Sequence, residues 1–190
     1  MFFKKSYFLY IENTNFINFN LLKNKANFNI IYRNNNKKEK LYKLQKFLLL
    51  CKRSKIKLFI ANDTKLALKI GSDGIYLSSY NRTMGLPYIK NFKKMEIIGS
   101  AHNFADIHTK LRQGCRKIIL SRVFKTNYVN KKTFYGITKF NLITKHFKNY
   151  FIALGGIREQ NLNKLKLLKC NGVALLSEVK KKPAIIRRLF

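Results

Sequence analysis

Short runs of apolar, β-branched and aromatic residues recur along the chain, separated mostly by longer stretches in which apolar positions return every three to four residues. The first pattern belongs to buried strands and the second to amphipathic helices. Eight runs read as strands: 7–11, 27–32, 57–61, 74–77, 96–100, 117–121, 150–154 and 172–176. The best helical patterns fall at 38–52, 64–70, 105–113, 139–147, 158–168 and 177–189. In the first of these, Leu41, Leu44, Leu48 and Cys51 share one face, a stripe for core packing. Gly71, Gly114 and Asn171 with Gly172 each end a helical pattern just before a strand, where a left-handed residue stops a helix. Residues 12–26 and 81–94 carry weak helical patterns, and 125–135 form a polar, basic loop of the kind that binds or covers a site. Strands alternating with helices argue for a parallel sheet, and eight strands are what a (β/α)8 TIM barrel needs to close. The expected fold is therefore an α/β, single-domain barrel over residues 1–190, with no linker, second domain or solenoid repeat.

Composition narrows the class. A chain of 190 residues with 46% hydrophobic content is long enough for a sizeable core and excludes disorder. Lys+Arg number 40 against 8 Asp+Glu, a formal charge of +32. The basic residues are scattered through nearly every helix and loop, with short clusters only at 34–38 and 180–182. That distribution suits solvated faces and an AT-rich codon bias better than a polyanion site, so specific nucleic-acid binding is not expected. Cys51, Cys115 and Cys170 are odd in number and lack any CxxC pairing, which excludes a disulfide framework or zinc site and leaves reduced thiols. The apolar stretch before Glu12 is too short for a signal core, and no run approaches the ~20 apolar residues of a membrane helix. A cytoplasmic protein is expected, with no membrane partner.

Functional residues of a parallel barrel lie just past the C-terminal ends of its strands. Those positions hold Arg33, Asn62 with Asp63, Ser78 with Ser79, Ser100 with His102, Thr126, Gly155 with Gly156, and Ser177. The set is rich in oxyanion ligands and poor in acid–base pairs. The run FIALGGI at 151–157, a helical stretch and then GVALLS at 172–177 match a barrel phosphate site. Glycines admit backbone N–H groups to the anion, and a following helix N-terminus adds partial positive charge. Asp63 either ligates a hard cation such as Mg²⁺ or caps the helix that begins at Thr64. His102 either caps the helix after the fifth strand or lines the pocket. Asp73 reads as a turn residue, and His108 and His146 as surface or packing residues.

Six motifs in order carry a likeness over nearly the whole chain: IYR at 31–33, LFIAND at 58–63, GSDG with IYL at 71–77, GSAHN at 99–103, VFKT at 123–126 and ALGGI at 153–157. The chain resembles the thiamine phosphate synthase and thiazole tautomerase (TenI-like) superfamily, and looks closest to its divergent paralogues. The resemblance implies condensation of a hydroxymethylpyrimidine diphosphate with a thiazole phosphate, giving thiamine phosphate and pyrophosphate, with Mg²⁺ on the leaving group. Carried over by position, Arg33 and Asn62 would hold the diphosphate, Asp63 the metal, and Ser100 the reacting region. Thr126, Gly155, Gly156 and Ser177 would hold the thiazole phosphate, joined by Lys131 or Lys132 from the basic loop. The family's His-Leu-Gly-Gln after the fourth strand, and the acidic metal ligand beyond it, are here YLSS at 76–79 followed by Tyr80 and Asn81. Its glutamine and lysine around Arg33 are Ile31 and Asn35, and its threonine and lysine beyond Thr126 fall on Tyr128 and Val129. The tautomerase histidine would fall where Arg122 stands, a group that stays protonated and moves no proton near neutrality. The expectation is a synthase-like enzyme of thiamine biosynthesis with an eroded metal–diphosphate site. The alternatives are a non-catalytic barrel binding thiazole phosphate or thiamine phosphate, and a basic barrel binding nucleic acid nonspecifically.

Overall fold

The computed structural model describes residues 6–17, 19, 27–34, 39–127 and 133–176. Eight parallel strands close into one ring, each bonded to the next and β8 back to β1. They are β1 (Ser6–Ile11), β2 (Phe28–Tyr32), β3 (Lys57–Ala61), β4 (Gly74–Leu77), β5 (Glu96–Ala101), β6 (Lys117–Ser121), β7 (Tyr150–Leu154) and β8 (Gly172–Leu175). Among the described residues four α-helices fill crossovers outside the ring: α1 (Leu41–Arg53), α2 (Thr64–Ile70), α3 (Phe104–Arg112) and α4 (Gly136–Lys145). The barrel expected from the sequence is present. The predicted helix at 177–189, with Ser177, and the loop residue Lys131 lie outside the described residues.

Side chains alternate along each strand, so the barrel has two separate cores. Phe8, Ile31, Phe59, Ile98, Ile119 and Ile152 fill the interior, one from each of six strands. Residues of the other parity, such as Leu9, Ile30, Leu58, Ile75, Ile118 and Val173, pack outward against Leu44, Leu48, Ile107 and Phe140 of the helices. The helix ends follow their sequences. Asp63 accepts the Leu66 N–H at 2.9 Å to open α2, and Gly71 ends it in the left-handed region at φ +67°. Asn103, not His102, caps α3: its Oδ1 accepts the Asp106 N–H at 2.8 Å, while Asp106 Oδ2 accepts the His102 N–H at 2.9 Å.

The predicted helix at 158–168 is a 3₁₀ helix over Glu159–Leu167. Asn161 Oδ1 accepts the Arg158 N–H at 2.9 Å and its Nδ2 donates to the Gly156 carbonyl at 2.8 Å, a local alternative to regular helical bonding. At the opposite end of the barrel, Asp73 Oδ2 accepts the Leu58 N–H at 2.9 Å, the structural role expected for it. No described helix is long and apolar enough to cross a membrane.

Candidate functional site

A cavity of about 700 Å³ opens where the strands end, within the size range of small-molecule sites. Its floor is the last inward layer of the barrel. Tyr76 Oη donates to Ser100 Oγ at 3.0 Å, and the Tyr10 ring stands edge-on to Tyr76, 86° apart with centroids 5.5 Å away. Burial first, then the neighbouring Tyr76, holds the Tyr10 phenol well above its ordinary pKa, so it remains a neutral hydroxyl.

The wall from β5 to β7 is denser in polar groups. His102 Nδ1 lies 2.9 Å from Ser121 Oγ and 3.2 Å from the Ser121 carbonyl, which fixes the imidazole at the cavity edge. Arg122 donates from Nε and Nη2 to the Thr133 carbonyl at 3.0 and 2.8 Å. Gly155 and Gly156 adopt φ +100° and +68°. A Cβ at Gly156 would come within 2.4 Å of the Phe124 carbonyl oxygen, and one at Gly155 within 2.9 Å of Arg122 Cγ. The two glycines therefore let the β7 loop close onto the β6 loop, where Phe124 N–H donates to the Gly155 carbonyl at 3.0 Å. Beyond them, Arg158 Nη2 donates to Asn127 Oδ1.

Tyr10 Oη, Arg33 Nε and Thr126 Oγ1 are buried without a hydrogen-bond partner, and all three residues line this cavity. Buried polar atoms are almost always satisfied, so unpartnered ones on residues that line one cavity are consistent with a polar ligand there. Of the residues expected from the sequence, the structure brings Arg33, Ser100, Thr126, Gly155 and Gly156 together there, with Ser78, Ser79 and His102. Asn62 and Asp63 do not line it. Asn62 takes a left-handed φ of +59° and its Oδ1 accepts the Ser78 N–H at 2.9 Å, so it braces the β4 loop.

The donor set does not fit a resident Mg²⁺. Asp63 Oδ1 is committed to the α2 cap, and Asn81 Oδ1 accepts the Thr83 N–H at 2.9 Å in a local turn. Among the described residues no lining side chain carries a carboxylate, and no group of three or more His, Cys, Asp or Glu converges. Sequence reasoning did not place Tyr10, Ser121 or Arg158 at the site, whereas the resemblance already set Tyr76 in the motif at the end of β4 and Arg122 at the tautomerase histidine position. Two-residue counting along β1 and β4 marks both tyrosines as inward-facing at the mouth. Arg158 has a weaker signal, two residues past Gly156.

The sequence pattern of the family described as thiamine monophosphate synthase matches residues 20–179. A thiamine-phosphate synthase of Prochlorococcus marinus is 37% identical over 132 residues, 68% of this chain and 37% of that protein. One from Pelagibacter ubique is 29% identical over 128 residues, 66% of this chain and 61% of that protein. The chain thus spans less than two thirds of the length of these curated relatives. In fold it is similar to thiamine phosphate pyrophosphorylase from Pyrococcus furiosus, with a TM-score of 0.73 at 18% identity, covering 98% of this chain and 95% of that one.

Proposed function

The chain belongs to the thiamine monophosphate synthase family, and from that premise we propose that it joins a hydroxymethylpyrimidine diphosphate to a thiazole phosphate. In that reaction the thiazole nitrogen forms a bond to the pyrimidine methylene carbon, the bond from that carbon to the diphosphate oxygen breaks, and pyrophosphate leaves with the electron pair. Thiamine phosphate is the organic product. The observation that carries the reading is the convergence of unpartnered Arg33 Nε and Thr126 Oγ1 on a cavity bounded by the Gly155–Gly156 turn. Phosphate oxygens supply the acceptors these donors lack.

On this reading Arg33 holds the diphosphate. Thr126 and the glycine turn hold the thiazole phosphate, with Lys131 and Ser177 as the further residues proposed for that pole. Ser100, fixed by Tyr76, orients the reacting region, and Asn62 acts by bracing the β4 loop. Asp63 keeps its cap role. Catalysis rests on bringing two bound substrates into contact and on stabilising the leaving anion, and no strong base is required. The partners are phosphorylated small molecules.

Incubation of the chain with both precursors, followed by mass spectrometry, is expected to yield thiamine phosphate, and Arg33→Gln to lower the yield at least about tenfold. Binding of thiamine phosphate without product would favour the non-catalytic barrel. Neither binding nor product would remove both.

A further inference from the structure

The charge around the cavity has one sign. Its described lining carries the guanidinium groups of Arg33, Arg122 and Arg158 and no carboxylate. In the closed strand order Arg33 follows β2, while Arg122 and Arg158 follow β6 and β7, on the far side of the ring. We infer that the cavity neutralises the phosphate oxygens of its ligand with these guanidinium groups, so that anion binding needs no divalent cation. This rests on the reading of the ligand as a phosphorylated molecule and adds how its charge is met.

Each arginine has a preset geometry. Arg122 is anchored through Nε and Nη2 to the Thr133 carbonyl, which fixes its guanidinium plane at the cavity wall. Arg158 is anchored through Nη2 to Asn127. Arg33 keeps Nε buried and unpartnered. Anchored guanidinium groups lose little freedom on binding, stay charged at any working pH, and match phosphate oxygens in pairs. A divalent cation meets the opposite conditions: fixed positive charges around it, and two candidate ligands, Asp63 and Asn81, whose Oδ1 atoms already accept backbone N–H groups.

The probe is inorganic pyrophosphate, titrated calorimetrically into the full chain at about 150 mM salt, where weak surface pairing is screened. One titration contains EDTA and a second contains Mg²⁺. Binding in EDTA is expected to be at least as tight as in Mg²⁺. Arg122→Gln combined with Arg158→Gln is expected to raise Kd at least about tenfold, with Arg158→Gln alone showing part of that loss if the pair does not fold by circular dichroism. Lys43→Gln with Lys46→Gln, on the exposed face of α1, serves as the control and should leave Kd unchanged. Binding that appears only with Mg²⁺ overturns the inference and leaves the synthase reading intact. An equal loss in the lysine control reveals surface binding of the probe and overturns it as well. So does no binding in either buffer, and the synthase reading then stands or falls on the product assay alone.

Discussion

Cys51 and Cys115 are buried, and burial pushes each thiol up to about 12; the Asp73 carboxylate adds to this at Cys51, while Lys110 opposes it at Cys115. Thiolate is the reactive form, so both should be inert in the folded chain. Native titration with a disulfide reagent near about pH 8 is expected to modify Cys170 alone, which is half-buried, and the other two only after unfolding. Rapid reaction of all three would contradict the packing around α1 and β5. The same scale shows what a sequence can and cannot disclose about a site. Arg33, Ser100 and Thr126 were legible because counting to a strand end locates the mouth of a barrel. Asn62 and Asp63 also sit at a strand end, yet the left-handed turn at Asn62 and the capping bond of Asp63 give their side chains to the backbone. That choice depends on torsions that residue spacing does not encode. Tyr10 was hidden for another reason: an aromatic on a strand reads as core, and only its height in the barrel makes its hydroxyl part of a site.

Between elements, a polar clamp joins α3 to the loop after β4. Lys110 is fully buried and its Nζ donates to Ser78 O at 2.6 Å, Asn81 O at 3.0 Å and Gln113 Oε1 at 2.8 Å. Gln113 Nε2 completes the clamp by donating to Asn81 O at 3.0 Å and Thr83 O at 2.9 Å. The space exists because residue 99 is glycine, where a Cβ would lie 2.7 Å from Lys110 Cδ. Lys110→Ala should cost about 2–4 kcal/mol in chemical denaturation, because the buried Gln113 Oε1 and the part-buried Ser78 and Asn81 carbonyls lose a charged donor. A loss under about 0.5 kcal/mol, the range of ordinary surface changes, would show the clamp to be dispensable. A second link ties the strand starts together: Glu96 of β5 accepts from Lys117 of β6 at 2.6 Å and Lys57 of β3 at 3.1 Å. Burial alone would raise the Glu96 pKa, but Lys117 and then Lys57 outweigh it and hold the carboxyl below its usual value. A depressed carboxylate stabilises the fold above its unfolded pKa and loses that contribution as pH falls through the folded value. Glu96→Gln should therefore cost about 1 kcal/mol at neutral pH, and the gap to the unmutated chain should close below about pH 4. A gap that persists in acid would point to packing instead of charge. The strands were legible from periodicity to within a residue and α1 to α4 to within about three, while the stretch at 158–168 proved to be a 3₁₀ helix. The buried clamp was not, because a lysine in a helix pattern reads as solvated until a glycine on the facing strand is known to lie beneath it.

Across the whole molecule the dominant quantity is the charge of +32. Scattered cations bind polyanions by releasing counterions, so retention on nucleic acid should be weak, indifferent to base sequence and lost as salt rises. Tight, sequence-selective binding at physiological salt would instead require a reading surface. The ring closure and strand number were legible because each βα unit repeats the same signal, whereas the arrangement of charge around the ring was not. That arrangement is positive at both ends. The mouth holds three arginines, and the groove at the barrel's base is lined by Lys57, Lys93, Lys94, Arg116 and Lys117 against the single carboxylate of Glu96. An approaching phosphorylated molecule therefore meets a cationic cluster at the base as well as at the mouth. Encounter should be fast and poorly aimed: in stopped-flow mixing the association rate constant should fall steeply with ionic strength while the dissociation rate constant barely changes. Part of the early bound population should sit at the base before it reaches the mouth.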